Sequence, residues 1–227
     1  MKVEFLHVTP LHIVASAIRE CYNSHDKSDT VQDNDNISCG PKDRELIDRV
    51  GNIKKHQSVL EHLVFSIRIQ EVSRLLLQEF ARHRISSLSV KSTRFTLQEL
   101  KNEEPFIVDV FGKTVERAKK YIVLLPREMF KNEQEFNTFT NAQLMQLEFL
   151  REAIHFNVKR DVAKYLVPDS YKTNISWTIN ARSLQNFLKL RSDKHAHFEI
   201  RELANMIYKN MPEEYKYLFV DCMYKGV

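Results

Sequence analysis

Apolar and polar positions alternate loosely over residues 2–8, which predicts a strand; after Pro10 the interval changes, and Leu11, Val14, Ala15 and Ile18 recur at helical spacing. A strand therefore enters a helix. Residues 23–43, "NSHDKSDTVQDNDNISCGPKD", are rich in Asp, Asn and Ser and close with Gly40 and Pro41, the composition of a long, mobile loop. Leu46, Ile47, Val50 and Ile53 predict a helix over 44–53. The period then drops to two: Leu63, Phe65, Ile67 and Ile69 alternate with Val64, Ser66, Arg68 and Gln70, a second strand. "EVSRLLLQEFARHR" returns to helical spacing and puts Arg82, His83 and Arg84 in a last helical turn. From residue 113 the pattern is mostly helical, punctuated by Pro126 and Pro168, and residues 178–211 read as one long helical run. No internal repeat is visible. Few strands among many helices predict an α+β fold, a mixed domain with a small antiparallel sheet and several long helices.

At 227 residues with 43% hydrophobic content, the chain is sized for one domain spanning 1–227 with a substantial core. The net charge of +4 is the small difference between 34 basic and 30 acidic side chains, so there is no polybasic coat of the kind that general nucleic-acid binding needs. Cys21, Cys39 and Cys222 lie far apart without CxxC or CxH spacing, which argues against a disulfide framework and against a zinc site. No leader pattern and no bilayer-length apolar run are present, and the expectation is a soluble, cytoplasmic protein with no membrane partner. With glycine only at 40, 51, 112 and 226, neither GxGxxG nor the P-loop pattern can be written, so any nucleotide phosphates must be held by side chains.

Against this background "ARHRISSLSVKSTRF", residues 81–95, stands out: Arg82, His83, Arg84, Lys91 and Arg94 are interleaved with hydroxyl residues, and there is no acid. Cations in a last helical turn can simply serve the helix dipole, at about 0.3 to 1 kcal/mol each. That account leaves Ser87, Ser92 and Arg94 unexplained. Guanidinium forks with nearby hydroxyls suit a multiply charged ligand. A basic phosphate- or nucleic-acid-binding protein without catalysis is one reading, and it predicts affinity that falls steeply with salt. Ser58 and Glu61 in "HQSVLEH" have the spacing of a capping box. His56 and His62, six residues apart, share no helix face, which argues against a metal pair. In "NARSLQNFLKLRSDKH", Leu184, Phe187, Leu188 and Leu190 read as core; on a helix Asn180, Arg191 and His195 would fall on one side and Arg182 and Asn186 on another. A helix polar on two sides suits a subunit interface that carries a site.

These segments resemble the flavin-dependent thymidylate synthases. The family pattern R-H-R-x-x-S-x-N-x-x-S-x-R is met at Arg82, His83, Arg84, Ser87, Ser92 and Arg94, with Ser89 in place of Asn. The elements H-x-[TS]-x-x-E-H (His56, Ser58, Glu61, His62) and N-A-R-S-L-x-N-F-L-x-L-R-x-x-x-H (Asn180 to His195) occur in the expected order. The resemblance implies the thymidylate-synthase-complementing fold, a homotetramer with sites where subunits meet, and reductive methylation of dUMP to dTMP. It implies 5,10-methylenetetrahydrofolate as carbon donor, FAD as hydride carrier and NADPH as reductant. It implies dUMP contacts from Glu79, Arg82, Val90, Lys91, Ser92, Thr93, Arg94, Lys164 and Arg191, with Arg191 as the catalytic group set against the uracil ring. It implies FAD contacts from His56, Ser58, Glu61, Arg82, His83, Arg84, Val90, Asn180, Arg182, Asn186, Leu190 and His195, and no metal.

Val90 stands where many members have Glu, and Lys164 where an arginine commonly contacts dUMP; lysine keeps the charge and loses the bidentate fork. No cysteine falls in a matched segment, in keeping with a flavin hydride route that needs no cysteine nucleophile. Cys-to-Ala changes are expected to leave turnover largely intact. Ser92 has no adjacent base to activate it and is assigned to substrate binding.

Overall fold

The computed structural model describes residues 1–33, 36–107 and 112–224. In chain order the elements are β1 (Lys2–Val8), α1 (Leu11–Cys21), β2 (Val31–Asp33), β3 (Asn36–Ser38), α2 (Pro41–Asp48), β4 (Val64–Ser73), α3 (Arg74–Phe80) and β5 (Ser86–Val90). There follow α4 (Thr93–Thr96), α5 (Lys113–Ala118), α6 (Glu133–His155), α7 (Arg160–Ala163), β6 (Lys172–Asn180), α8 (Ala181–Arg191), α9 (Phe198–Asn210) and α10 (Glu213–Lys216). The main sheet has the order β1-β4-β6-β5, and β2 pairs with β3 in a separate antiparallel ribbon. The Thr9 amide donates to the Val64 carbonyl (2.9 Å) and Arg68 pairs with Glu4 (2.9 Å), so β1 and β4 run in opposite directions. Ala181 N to Leu63 O (2.7 Å) and the Ser66–Thr178 hydroxyl pair (3.2 Å) do the same for β4 and β6. This is the α+β class that the periodicity predicts.

The chain forms two compact units, one from Met1–Ile69, Phe80–Ser89 and Ser176–Val227, the other from Gln70–Glu79 and Val90–Ile175. In the first, Leu63, Phe65, Ile67 and Ile69 of the alternating stretch are fully buried. Phe65 meets Phe5, Tyr215 and Phe219 edge-on at centroid distances of 6.0, 5.9 and 5.6 Å. A second aromatic group joins Phe80, Trp177 and Phe187, with Phe80 and Trp177 4.5 Å apart. In the second unit α6 is capped by Asn132, whose Oδ1 accepts from Glu135 N (2.8 Å), and it buries Leu144, Leu147, Leu150 and Ile154 against Tyr121, Tyr171 and Phe106. Among the described residues no helix is long and apolar enough to cross a membrane.

Four expectations need correction. The first concerns residues 23–43, which are not a free loop: they contain the β2–β3 ribbon and the start of α2, while Asn34 and Asp35 lie outside the described residues. Their polar side chains have partners the local sequence cannot reveal. Arg19 Nε donates to Asp43 Oδ1 (2.7 Å), Ser28 Oγ and Thr30 Oγ1 donate to Asp43 Oδ2 (2.5 and 2.8 Å), and the Asp29 carboxylate accepts from Lys42 N and Asp43 N at the start of α2. Secondly, α3 stops at Phe80, so Arg82, His83 and Arg84 follow the helix instead of ending it. Thirdly, the run 178–211 is three elements: β6 ends at Asn180, α8 ends at Arg191, and α9 starts at Phe198. Lastly, Ser58 and Glu61 form no capping box; their 3-10 turn, Gln57–His62, has no side-chain cap.

Candidate active site

The Arg82-His83-Arg84 segment is set by what flanks it. Phe80 is locked into the aromatic group with Trp177 and Phe187, the chain turns at once, and His83 N donates back to Phe80 O (3.1 Å). Ser86 Oγ then bonds the His83 carbonyl (2.8 Å) as β5 begins. The His83 ring packs edge-on against Phe187, 4.9 Å between centroids, while Arg82, Arg84 and Ile85 stay exposed.

The second wall is α8. Asn180 Oδ1 caps it by accepting from Ser183 N (2.9 Å), and Ala181 N donates to Leu63 O, which anchors the strand-to-helix junction. Ala181, Leu184, Phe187 and Leu188 are buried, so Arg182, Asn186 and Leu190, four residues apart, present an outward stripe. Arg182 Nη1 reaches Glu61 Oε1 (2.7 Å), and Arg191 Nε donates to His83 Nε2 (3.0 Å).

Between these walls lies a cavity of about 1180 Å³ lined by Glu61, Arg82, His83, Arg84, Arg182, Asn186, Leu190 and Arg191. The structure thus brings eight of the sequence-predicted residues together. Six cations (Lys55, Arg82, Arg84, Arg182, Lys189, Arg191) face three carboxylates (Asp48, Glu61, Asp221) in its lining. Such a set favours an anion, and the volume exceeds the roughly 300 to 1,000 Å³ typical of drug-sized ligands.

A third wall carries no motif. Residues 49–53 continue α2 as a π-helical turn, in which Gly51 packs closely on Leu60: a Cβ there would sit 2.8 Å from Leu60 Cδ2 and the leucine side chain would have to shift. The turn presents Asn52, whose Oδ1 accepts from Gln185 Nε2 (2.8 Å), and Gln185 Nε2 also donates to Leu218 O (2.7 Å). These bonds hold the segment from Tyr217 to Cys222 along the cavity. Burial first, and the nearby Cys39 and Asp48 charges after it, push the Tyr217 hydroxyl up, so it stays protonated and donates to Arg44 O (3.4 Å). Burial, with help from Asp221, also raises the Cys222 thiol.

Other predicted residues of the same unit lie outside the cavity lining. His56, just before the 3-10 turn, and Ser58, within it, are exposed, Asn180 serves as the α8 cap, and His195 bonds Asp193 Oδ1 (2.9 Å) in a turn beyond α8. Of the faces expected over 180–195, Arg182 and Asn186 do share one, but Asn180 precedes the helix, His195 lies beyond it, Arg191 lines the same cavity as Arg182 and Asn186, and Leu190, expected in the core, is exposed. Glu79, Val90, Lys91, Ser92, Thr93, Arg94 and Lys164 belong to the second unit. There the Ser92 carbonyl accepts from Phe95 N and Thr96 N, both 3.2 Å, at the start of α4. Lys91 pairs with Glu99 (3.0 Å), and Arg94 pairs with Asp161 of α7 (3.2 Å), one helical turn before Lys164.

Residues 5–215 match the sequence profile of the family described as thymidylate synthase complementing protein. The chain belongs to this family. It is 50% identical over 219 residues to the flavin-dependent thymidylate synthase of Wolinella succinogenes, covering 96% of this chain and 97% of that one. It is 46% identical to the enzyme of the same description from Campylobacter jejuni, with both chains covered in full. Its fold superposes on a crystal structure of Helicobacter pylori thymidylate synthase X with FAD and dUMP at a TM-score of 0.83 and 43% identity over the whole of both chains. Where this chain departs from the arginine-rich family motif, Ser89 is exposed on β5, Val90 is half-buried at its end, and Lys164 is exposed just after α7.

Proposed function

We propose that this protein is a flavin-dependent thymidylate synthase, converting dUMP to dTMP with 5,10-methylenetetrahydrofolate as carbon donor, FAD as hydride carrier and NADPH as reductant. The observation that carries this reading is the cavity that gathers Arg82, His83 and Arg84 with Arg182, Asn186, Leu190 and Arg191. Its residues fit FAD: several arginine forks suit a pyrophosphate, while Asn186 and Leu190 offer an amide and an apolar face to a ring. Bound FAD supplies the hydride that completes the methyl group.

The chain's own residues bind and polarise. Arg82, Arg84 and Arg182 hold the dinucleotide phosphates, and Glu61 pairs with Arg182 at the cavity wall. Arg191 faces the uracil ring and stabilises negative charge as N3 loses its proton. Val90, Lys91, Ser92, Thr93, Arg94 and Lys164, with Glu79, supply the dUMP contacts, and Arg94 exchanges an exposed, weakly held Asp161 for phosphate. His56, Ser58, Asn180 and His195 act in sites completed by another copy of the chain, as in a homotetramer. Three free cysteines suit a reducing cytoplasm.

Two measurements probe the details. Lys164→Arg restores a bidentate fork and lowers the KM for dUMP severalfold at similar kcat; an unchanged KM would show that Lys164 does not meet the phosphate. Cys222 lines the cavity, yet burial keeps it a thiol and a poor nucleophile, so Cys222→Ala retains dTMP formation. Loss of turnover in a folded Cys222→Ala protein would point to covalent catalysis. The proposal as a whole is tested by dTMP formation from dUMP with and without added FAD, since synthesis independent of flavin would overturn it.

A further inference from the structure

We propose that His83, beyond any contact with a ligand, is the positioning residue that sets the guanidinium of Arg191. The inference rests on the role given to Arg191 above. It begins from one bond: Arg191 Nε lies 3.0 Å from His83 Nε2. A guanidinium only donates, so the imidazole nitrogen must accept, and His83 is therefore the neutral tautomer with its proton on Nδ1. A protonated ring could not take this bond.

The imidazole is itself held on both sides. Phe187 packs against the ring at 4.9 Å and is fully buried in the aromatic group with Phe80 and Trp177. Ser86 Oγ fixes the His83 carbonyl (2.8 Å), and His83 N is tied to Phe80 O. Phe187 and Arg191 are four residues apart on α8, so the same helical face carries the side chain to be oriented and the ring that orients its acceptor. Arg191 is the last residue of that helix. A bond to Nε fixes the final side-chain torsion and with it the plane of the Nη1 and Nη2 donors. Planar recognition of a ring edge depends on that plane.

Two measurements test this. Nitrogen NMR of histidine-labelled protein reads the tautomer without turnover: the Nδ1–H form is expected for His83 and is lost in Arg191→Ala, which removes the donor, whereas an Nε2–H or doubly protonated His83 in the wild-type protein overturns the proposal whatever the enzyme's activity. Kinetics then separates positioning from mere structure. His83→Leu keeps bulk and removes the acceptor, and lowers kcat by about 10²-fold with a much smaller change in the KM for dUMP, the scale of loss expected for a misplaced catalytic group. His83→Gln, whose Oε1 reaches about as far as Nε2, recovers most of that kcat. In an Arg191→Lys background His83→Leu adds little, because the two act as one unit. A Gln variant as slow as Leu, or losses that multiply in the double variant, would show that His83 acts independently of Arg191. If the wild-type protein makes no dTMP, the functional reading fails while the tautomer measurement still decides the His83–Arg191 bond.

Discussion

Arg191→Ala lowers kcat for dTMP formation by about 10² to 10³-fold, the scale seen when one preorganised donor to a developing anion is removed. The side chain is half-buried at the end of α8, its Nε is committed to His83, and it lines the cavity with Arg82, Arg84 and Arg182. Truncation leaves the buried face of α8 untouched, because Leu184, Phe187 and Leu188 supply that packing. Circular dichroism and thermal melting therefore stay close to wild type while turnover collapses. Phosphate recognition is assigned to other arginines, so dUMP still binds and the loss falls mainly on kcat. Turnover unchanged in the folded variant would remove Arg191 from the chemistry.

Asp43→Ala destabilises the protein by about 3 to 5 kcal/mol, the range for breaking a buried ion pair from one side. Asp43 is fully buried, Arg19 is nearly so, and alanine would strand the guanidinium together with the Ser28 and Thr30 hydroxyls. For a chain of this size the melting temperature falls on the order of 10 °C. Burial on its own would push the Asp43 carboxyl up, but the hydrogen bonds from Ser28, Thr30 and Arg19 outweigh it and hold the group below its usual range. A depressed carboxyl contributes stability that is fully present above its unfolded value of about 3.9 and is lost as pH falls through the lower folded value. Asp43→Ala thus loses its deficit relative to wild type only in strong acid. Equal melting temperatures at neutral pH would show that the cluster contributes nothing net.

The parts of the fold that were legible are those in which packing repeats locally. Leu11, Val14, Ala15 and Ile18 and the alternating Leu63, Phe65, Ile67 and Ile69 are buried as their spacing requires. β6 is masked in the sequence although Thr173, Ile175, Trp177 and Ile179 alternate and are buried, because the helical signal of α8 follows without a turn residue and Asn180 ends one element while capping the next. Charge and hydroxyl content mark Arg82 and Arg84 as candidates, and both line the cavity. Their place after α3 is not legible locally: Phe80, the last residue of that helix, packs against Trp177 far along the chain. The same limit applies to residues 23–33 and 36–43, where Asp43 meets Arg19, Ser28 and Thr30, and to the cavity wall at Asn52 and Tyr217 to Cys222. The π-helical turn at 49–53 is marked by Lys54 N donating to Arg49 O (2.9 Å), five residues back, a bond that the local apolar pattern does not reveal.

The most direct test is an anaerobic absorption spectrum of the protein loaded with FAD, followed through additions of NADPH, dUMP and methylenetetrahydrofolate. The account predicts that the flavin bands bleach with NADPH, persist in the bleached form with dUMP alone, and return only when the folate is also present, with one dTMP formed per flavin reoxidised. Flavin bands that fail to bleach, or dTMP formed without any change in them, would contradict a flavin-borne hydride.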